Sequence, residues 1–487
     1  MASDRGTGEQ DLTDASVIIV VADGLGPAAL DDALARGDVP ALASLRDAGG
    51  RFDVTTVFPS VTGVGYIPML TGRFPGAVGV PGLRWYDRSR GLPWWLGHAR
   101  SYVGPQLRRI DDDLAGSART IPELVGERSL GMQAVITRGI PRHRQLERGA
   151  RIAAHVVHAH LAGDPDAWAG MEQRLAERFV DRVRRDRLRF GFAAFLAGDK
   201  AAHANGPDSP GARRSLNLVD QVVGRLREDA ERDGRWPAMH LWVVSDHGHS
   251  RVAGHHDLAD VLRDAGLKVR SHPWTLPDRS DVAVMVSGNS MAHVYLELAS
   301  PARLPWPVLK PRWEARLQPA LDHDAIDLVA VWRGTSEVEV WRRGHGSAVI
   351  ASRDGAYSYR PLDGDPLGVD AFEGVGALEA HERTRDSSYP DAVVQLAALV
   401  PSDRAGDVTI SAAPGWDLRR RYEPVEHASS HGGLHRAHME VPLIVGCRPV
   451  VTPRRTVDLF PSVLQALGIR RPDRLDGTGF LQVDASD

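Results

Sequence analysis

The chain has 487 residues, 43% of them apolar and 25% charged, with a formal net charge of −4. That balance describes an ordinary globular chain of two to three domains' length and leaves no global basic field for nucleic acid or an anionic membrane. Its single cysteine, Cys447, excludes a disulfide framework and a thiolate cluster, so any metal has to be held by histidine and carboxylate.

The first residues are polar and acidic with no apolar stretch, so residues 1–14 are expected to be disordered and no secretory signal is read. No run of about 18 apolar residues follows, so no membrane span and a cytoplasmic protein are expected. Ser16 to Ala22 (SVIIVVA) is continuously apolar without alternation, the pattern of a strand buried on both faces. It runs into Asp23-Gly24, which places an acid at the carboxyl end of a buried strand, where α/β sheets bind ligands. Helices are expected over 27–36 and 40–48.

A β-branched run, Val54 to Phe58, stops at Pro59, and Ser60 and Thr62 precede a helical stretch from Tyr66 to Leu70. Either hydroxyl could cap that helix, and a hydroxyl there also sits near the positive end of the helix dipole. Residues 73–118 are rich in Gly, Pro, Trp and Arg and read as an irregular excursion, with Trp85, Trp94 and Trp95 as packing residues. Gly131 to Thr137 is a further strand, and Pro165 to Asp186 a charged amphipathic helix.

Phe190 to Ala197 and Met239 to Ser245 repeat the buried-strand pattern. The first leads into Asp199 and, four residues on, His203, which one helical turn brings to the same side. The second leads into Asp246-His247. Three buried strands thus end in aspartate, and carboxylates gathered on one sheet edge repel unless a cation neutralises them. Asp and neutral imidazole suit Zn²⁺, and also Mn²⁺ or Fe. Residues 281–385 change texture to short strands between glycine turns with a helix near 308–321, an inserted α+β subdomain; the chain is expected to rejoin the main sheet near 408–411. After S-S-H-G-G, which carries His431, come a late strand from Val441 to Gly446 and a closing helix.

Asp23, Thr62, Asp199, His203, Asp246, His247 and His431 are therefore the polar landmarks. Two sets of three ligands with a shared hydroxyl would complete a two-cation site of the kind that clamps a phosphoryl transfer. The motifs D-G, F-P-S-V-T-x₈-T-G-R-F-P, D-x₃-H-x₂-G-P-D-S, S-D-H-G and S-H-G-G-L, in that order, resemble the alkaline phosphatase superfamily, and within it the type I phosphodiesterase/nucleotide pyrophosphatase family. The resemblance implies an α/β fold with a mostly parallel central sheet sandwiched by helices. The catalytic core would be 15–280 and 386–480, interrupted by the 281–385 subdomain.

It further implies Thr62 as nucleophile, two zinc ions, and a small phosphate ester or nucleotide-like substrate. Asp199, His203 and His431 match the ligands of one zinc; Asp23, Asp246 and His247 match those of the other, with Thr62 facing it. Apart from the resemblance, the helix start near Gly63 would offer backbone donors to the phosphate. One departure stands out: the family's phosphate-binding Asn falls on Leu83, with Arg84 beside it as a substitute donor. A phosphomonoesterase or phosphonate hydrolase on the same site is the alternative, and a catalytically inactive binding protein the reading from another class.

Overall fold

The computed structural model of the chain describes residues 15–89, 98–148, 164–272, 279–420 and 426–482. The expected N-terminal disorder, Trp94 and Trp95 lie outside these residues. The chain first forms β1 (Ser16–Ala22), β2 (Gly50–Thr55), β3 (Ser129–Met132), β4 (Phe190–Phe195) and β5 (Met239–Val244). Next come β6 (Val269–Ser271), β7 (Val282–Ser287), β8 (Met291–Tyr295), β9 (Ile326–Gly334) and β10 (Glu337–Arg342). They are followed by β11 (Gly346–Arg353), β12 (Ala356–Gly364), β13 (Phe372–Gly376) and β14 (Val408–Ala412), and the chain returns as β15 (Glu440–Val445).

Two sheets result. The first has the order β2-β15-β5-β1-β4-β3. β1 pairs in parallel with β4 and β5, and β3 with β4, while β15 is antiparallel to both β5 and β2. Five strands therefore point one way and β15 runs against them. The unbroken apolar runs follow from this arrangement, because alternate side chains of a strand leave by opposite faces. Val17, Ile19 and Val21 pack with Tyr66 and Ile67 of α3 (Tyr66–Thr71) and with the closing helix (Leu459–Leu467). Ile18, Val20 and Ala22 pack on the other face against α1 (Pro27–Arg36), α2 (Pro40–Ala48), α4 (Pro165–Arg185) and α6 (Pro210–Arg232). No described helix is long and apolar enough to cross a membrane.

The second sheet has the order β6-β7-β8-β14-β9-β10-β11-β12-β13 and is antiparallel apart from β6 and β7. This corrects the sequence expectation for 408–411. Val408–Ala412 pairs between β8 and β9 in the second sheet, not in the first. β3 is also shorter than expected, because Gln133 takes a left-handed conformation (φ 51) that ends the extended run.

The helix that follows β4, α5 (Ala197–Asn205), is fastened from behind by Glu172 of α4. This fully buried carboxyl accepts the amides of Leu196 (2.6 Å) and Ala197 (3.2 Å), at the point where strand becomes helix. Burial pushes its pKa up to about 8 from an ordinary 4.5, with those two amides opposing the rise.

Ile19→Ala should lower stability by about 2–5 kcal/mol, read as a lower urea midpoint at unchanged slope, because Ile19 is fully buried in the central strand. Val450→Ala, at a side chain 63% exposed, should stay within about 0.5 kcal/mol. Glu172 generates a pH signature. Between pH 4.5 and about 8 the folded chain keeps a proton on this group that the unfolded chain has released. Stability should therefore fall as pH rises through that window, by at most about 1.4 kcal/mol per unit for the single proton. Glu172→Gln should remove that part of the slope in urea titrations run across the window.

Candidate active site

Val21 pairs with Val244 and Ala22 with Phe195, so β1, β5 and β4 end level with one another. The next residues are Asp23, then Ser245 to His247, then the first turn of α5 with Asp199, and they emerge on one edge. β2 points the same way and delivers the loop that carries Thr62. β15 runs oppositely, so the segment entering it, with His431, reaches the same edge. A bridge between Ser60 and Gly432 ties these two loops together, and the Ser60 hydroxyl donates to the Gly433 carbonyl at 2.9 Å. Gly65 allows the close approach beneath Thr62, since a Cβ there would lie 2.9 Å from the Asp246 side chain.

Every residue expected in the two ligand sets arrives at this edge. Thr62 Oγ1 lies 3.2 Å from Asp23 Oδ1 and 3.1 Å from His247 Nε2. His247 Nε2 lies 3.4 Å from Asp23 Oδ1 and 3.6 Å from Asp246 Oδ2. In the second group His203 Nε2 is 3.2 Å and His431 Nε2 3.5 Å from Asp199 Oδ1, and the two nitrogens are 3.1 Å apart. The His247 and His431 rings stack at 3.6 Å, so the two groups are contiguous. Asp23, Asp246 and His247 form one arrangement that could hold a metal ion, and Asp199, His247, His249 and His431 another.

The donor set fits divalent cations on two counts. Donors about 2.0–2.1 Å from a tetrahedral zinc stand about 3.3 Å from one another, close to the spacings here. The protons also fall short. His203 Nδ1 donates to the Ser429 carbonyl, His431 Nδ1 to Ser60 and His247 Nδ1 to Gly248, so all three neutral rings turn Nε2 lone pairs inward. Thr62 has one proton for both Asp23 Oδ1 and His247 Nε2, and fully buried Asp246 Oδ2 has no donor among the described residues. Acceptors facing acceptors at these distances call for a cation.

The titration behaviour agrees. Burial, then the charge of Asp246, raises the Asp23 carboxyl well above its ordinary value. Burial and Asp199 push Asp246 up to about 8. Burial opposes ionisation of Asp199 as well, yet Lys200, its Nζ 2.7 Å away, holds that carboxyl well below the usual range. Burial lowers His203 to about 4 and holds His247 and His431 well below the ordinary imidazole value, which favours neutral rings.

One expected substrate contact sits differently. Gly63 directly follows Thr62 in a turn with φ 83, and α3 begins at Tyr66 as expected. Arg84 donates its guanidinium to the Val286 carbonyl at 3.0 Å and lines a cavity with Arg263, His272 and Arg419, on the second sheet rather than at Thr62. Leu83 packs against the main core. Tyr66 was not singled out from sequence; its hydroxyl donates to Asp23 Oδ2 at 2.8 Å. Its position four residues after Thr62 at a helix start was the available signal. His435, four residues after His431, caps the short helix Arg436–Met439.

The family model described as "Type I phosphodiesterase / nucleotide pyrophosphatase" matches residues 17–434, which contain every residue of this edge. Among solved structures the chain is similar to phosphonoacetate hydrolase from Sinorhizobium meliloti 1021 in complex with phosphonoacetate, at 19% identity and TM-score 0.56, covering 94% of this chain and 96% of that one. It is also similar to murine ectonucleotide pyrophosphatase/phosphodiesterase 5, in an inactive form with AMP, at 14% identity and TM-score 0.55, covering 95% and 97%. The human form of the latter gives 14% and 0.56 over the same shares. No curated protein matches. The chain belongs to the type I phosphodiesterase/nucleotide pyrophosphatase family, a family of phosphoester hydrolases with the alkaline phosphatase superfamily fold.

Proposed function

We propose that this member of the family hydrolyses a small phosphodiester or nucleotide-like pyrophosphate with Thr62 as nucleophile and two divalent cations, Zn²⁺ by donor type. The observation that carries the reading is Thr62 Oγ1 placed between Asp23 Oδ1 and His247 Nε2, with the orphaned Asp246 Oδ2 beside them. Asp23, Asp246 and His247 would hold one cation against Thr62, and Asp199, His203 and His431 the other. When bound, the cations supply Lewis acidity that lowers the pKa of a coordinated hydroxyl and offsets phosphoryl charge.

The chain's own residues do the rest. Tyr66 fixes the Asp23 carboxylate and the Ser60–Gly432 bridge fixes the loop, so Thr62 Oγ1 is aimed rather than free to rotate. Thr62 attacks phosphorus and the leaving oxygen departs, giving a threonine phosphoester that water then cleaves. The Gly63 amide, next in sequence, is the backbone donor assigned to a non-bridging oxygen.

A second reading, a phosphomonoester or phosphonate substrate, is favoured by one local observation. Leu83 offers no donor at the family's Asn position, while Lys200 adds a cation beside Asp199. A dianionic phosphoryl group needs the added charge more than the neutral amide.

Thr62→Ala should fold normally and lose roughly 10³-fold or more in kcat. Wild-type enzyme quenched in acid during turnover should yield a phosphorylated Thr62 peptide by mass spectrometry. Full turnover by the variant in saturating zinc would refute the nucleophile assignment. Ranking kcat/KM over nitrophenyl phosphomonoester, nitrophenyl phosphodiester, a nucleotide pyrophosphate and a phosphonate decides between the two substrate readings, with the diester or pyrophosphate expected first.

A further inference from the structure

We infer that His249 is a further nitrogen donor to the cation of the Asp199 group, an assignment that rests on the metal reading above. His249 lies just beyond S-D-H-G, and its side chain is 1% exposed. Its Nε2 is 3.0 Å from Asp199 Oδ1, nearer than either His203 or His431. Asp199, His247, His249 and His431 present donor atoms that all lie within 4.8 Å of one another.

The hydrogen bonding orients the ring as it does the other three. The Ser429 hydroxyl donates its one proton to the Ala202 carbonyl at 2.7 Å. Its 3.1 Å contact with His249 Nδ1 therefore has the imidazole as donor. With the proton on Nδ1, the Nε2 lone pair of the neutral ring points at a carboxylate oxygen. That is the same acceptor-to-acceptor contact seen at His203 and His431. The fold keeps the space open, because a Cβ on Gly24 would lie 2.7 Å from His249 Nε2. Asp199, His203, His249 and His431 then make four protein donors, enough to fill a tetrahedral shell. The Asp23 group has three and the Thr62 hydroxyl. The Asp199 group becomes the tighter, more resident centre.

The test is a metal titration of full-length protein stripped with a chelator. Zn²⁺ is added against a chromophoric competitor, and Co²⁺ is added separately to record its visible d–d bands. Wild type should take two ions of unequal affinity. His249→Ala should weaken the tighter one by more than about 100-fold, beyond the 10–100-fold typical of a lost outer hydrogen bond, and alter the Co²⁺ bands. His249→Gln, whose amide can hydrogen-bond Asp199 but lacks the imidazole, should behave like the alanine variant, and it serves if alanine impairs folding. Unchanged affinities and bands in both variants would overturn the inference while leaving the two-cation reading standing. So would weaker binding with wild-type Co²⁺ bands, which would make His249 a positioning residue. Wild-type protein that takes up no divalent ion would instead overturn the metal reading and this inference with it.

Discussion

Three carboxylates, Asp23, Asp199 and Asp246, are each at most 3% exposed and stand on one edge of one sheet. Like charges taken out of water at such spacing repel strongly, and nothing in the apolar packing above or below relieves them. Most of the local architecture can be understood as a response to that constraint. Lys200 and Tyr66 each take one carboxylate oxygen, and the Gly24 amide leans toward Asp246. The histidines contribute lone pairs, not protons, which deepens the negative character of the cavity. A protein does not build such a place for stability alone, and the reading with two cations balances it.

How much of this was legible in the sequence follows from what each signal encodes. β1, β4 and β5 were readable because burial on both faces leaves a mark in composition, and their acids were readable because strand ends are where such sheets place chemistry. The sheet membership of β14 was not, since a short apolar strand carries no address for its partner. The direction of Arg84 was equally hidden, because a residue beside a critical position can face the opposite way in an extended segment. Tyr66 was visible as a letter but not as a site residue, and His249 only as one of several histidines flanking the ligands. What places them is a hydrogen-bond network closed by Ser429 and Asp23, residues far away in the chain.

The second sheet bears on the site as well as flanking it. Its β7–β8 turn meets the His431 loop directly: Asn289 bridges His431, and a Cβ on Gly288 would lie 2.4 Å from the Val61 side chain. Arg84 leans on the same strand pair, its amide donating to the Ser287 hydroxyl and its guanidinium to the Val286 carbonyl. The β7–β8 turn and the loop that carries Thr62 are thus one packed unit, so changes in β7–β8 reach that loop through packing.

The position of β15 has a consequence for biosynthesis. β2, the strand leading to Thr62, sits at the sheet edge, and β15 is its one neighbouring strand among the described residues. Its partner is not synthesised until residue 440, on the order of tens of seconds later at ordinary translation rates. For that interval a nascent strand stands without its mate, the condition that invites pairing with a neighbouring chain. The charges on it answer that hazard: Arg51 and Asp53 point off the same strand, and Arg51 is held by Asp31 of the already completed α1 (2.8 Å) as well as by Asp53 (2.6 Å). The segment that leads to Thr62 thus carries its own polar face, which does not wait for the last strand to seat it.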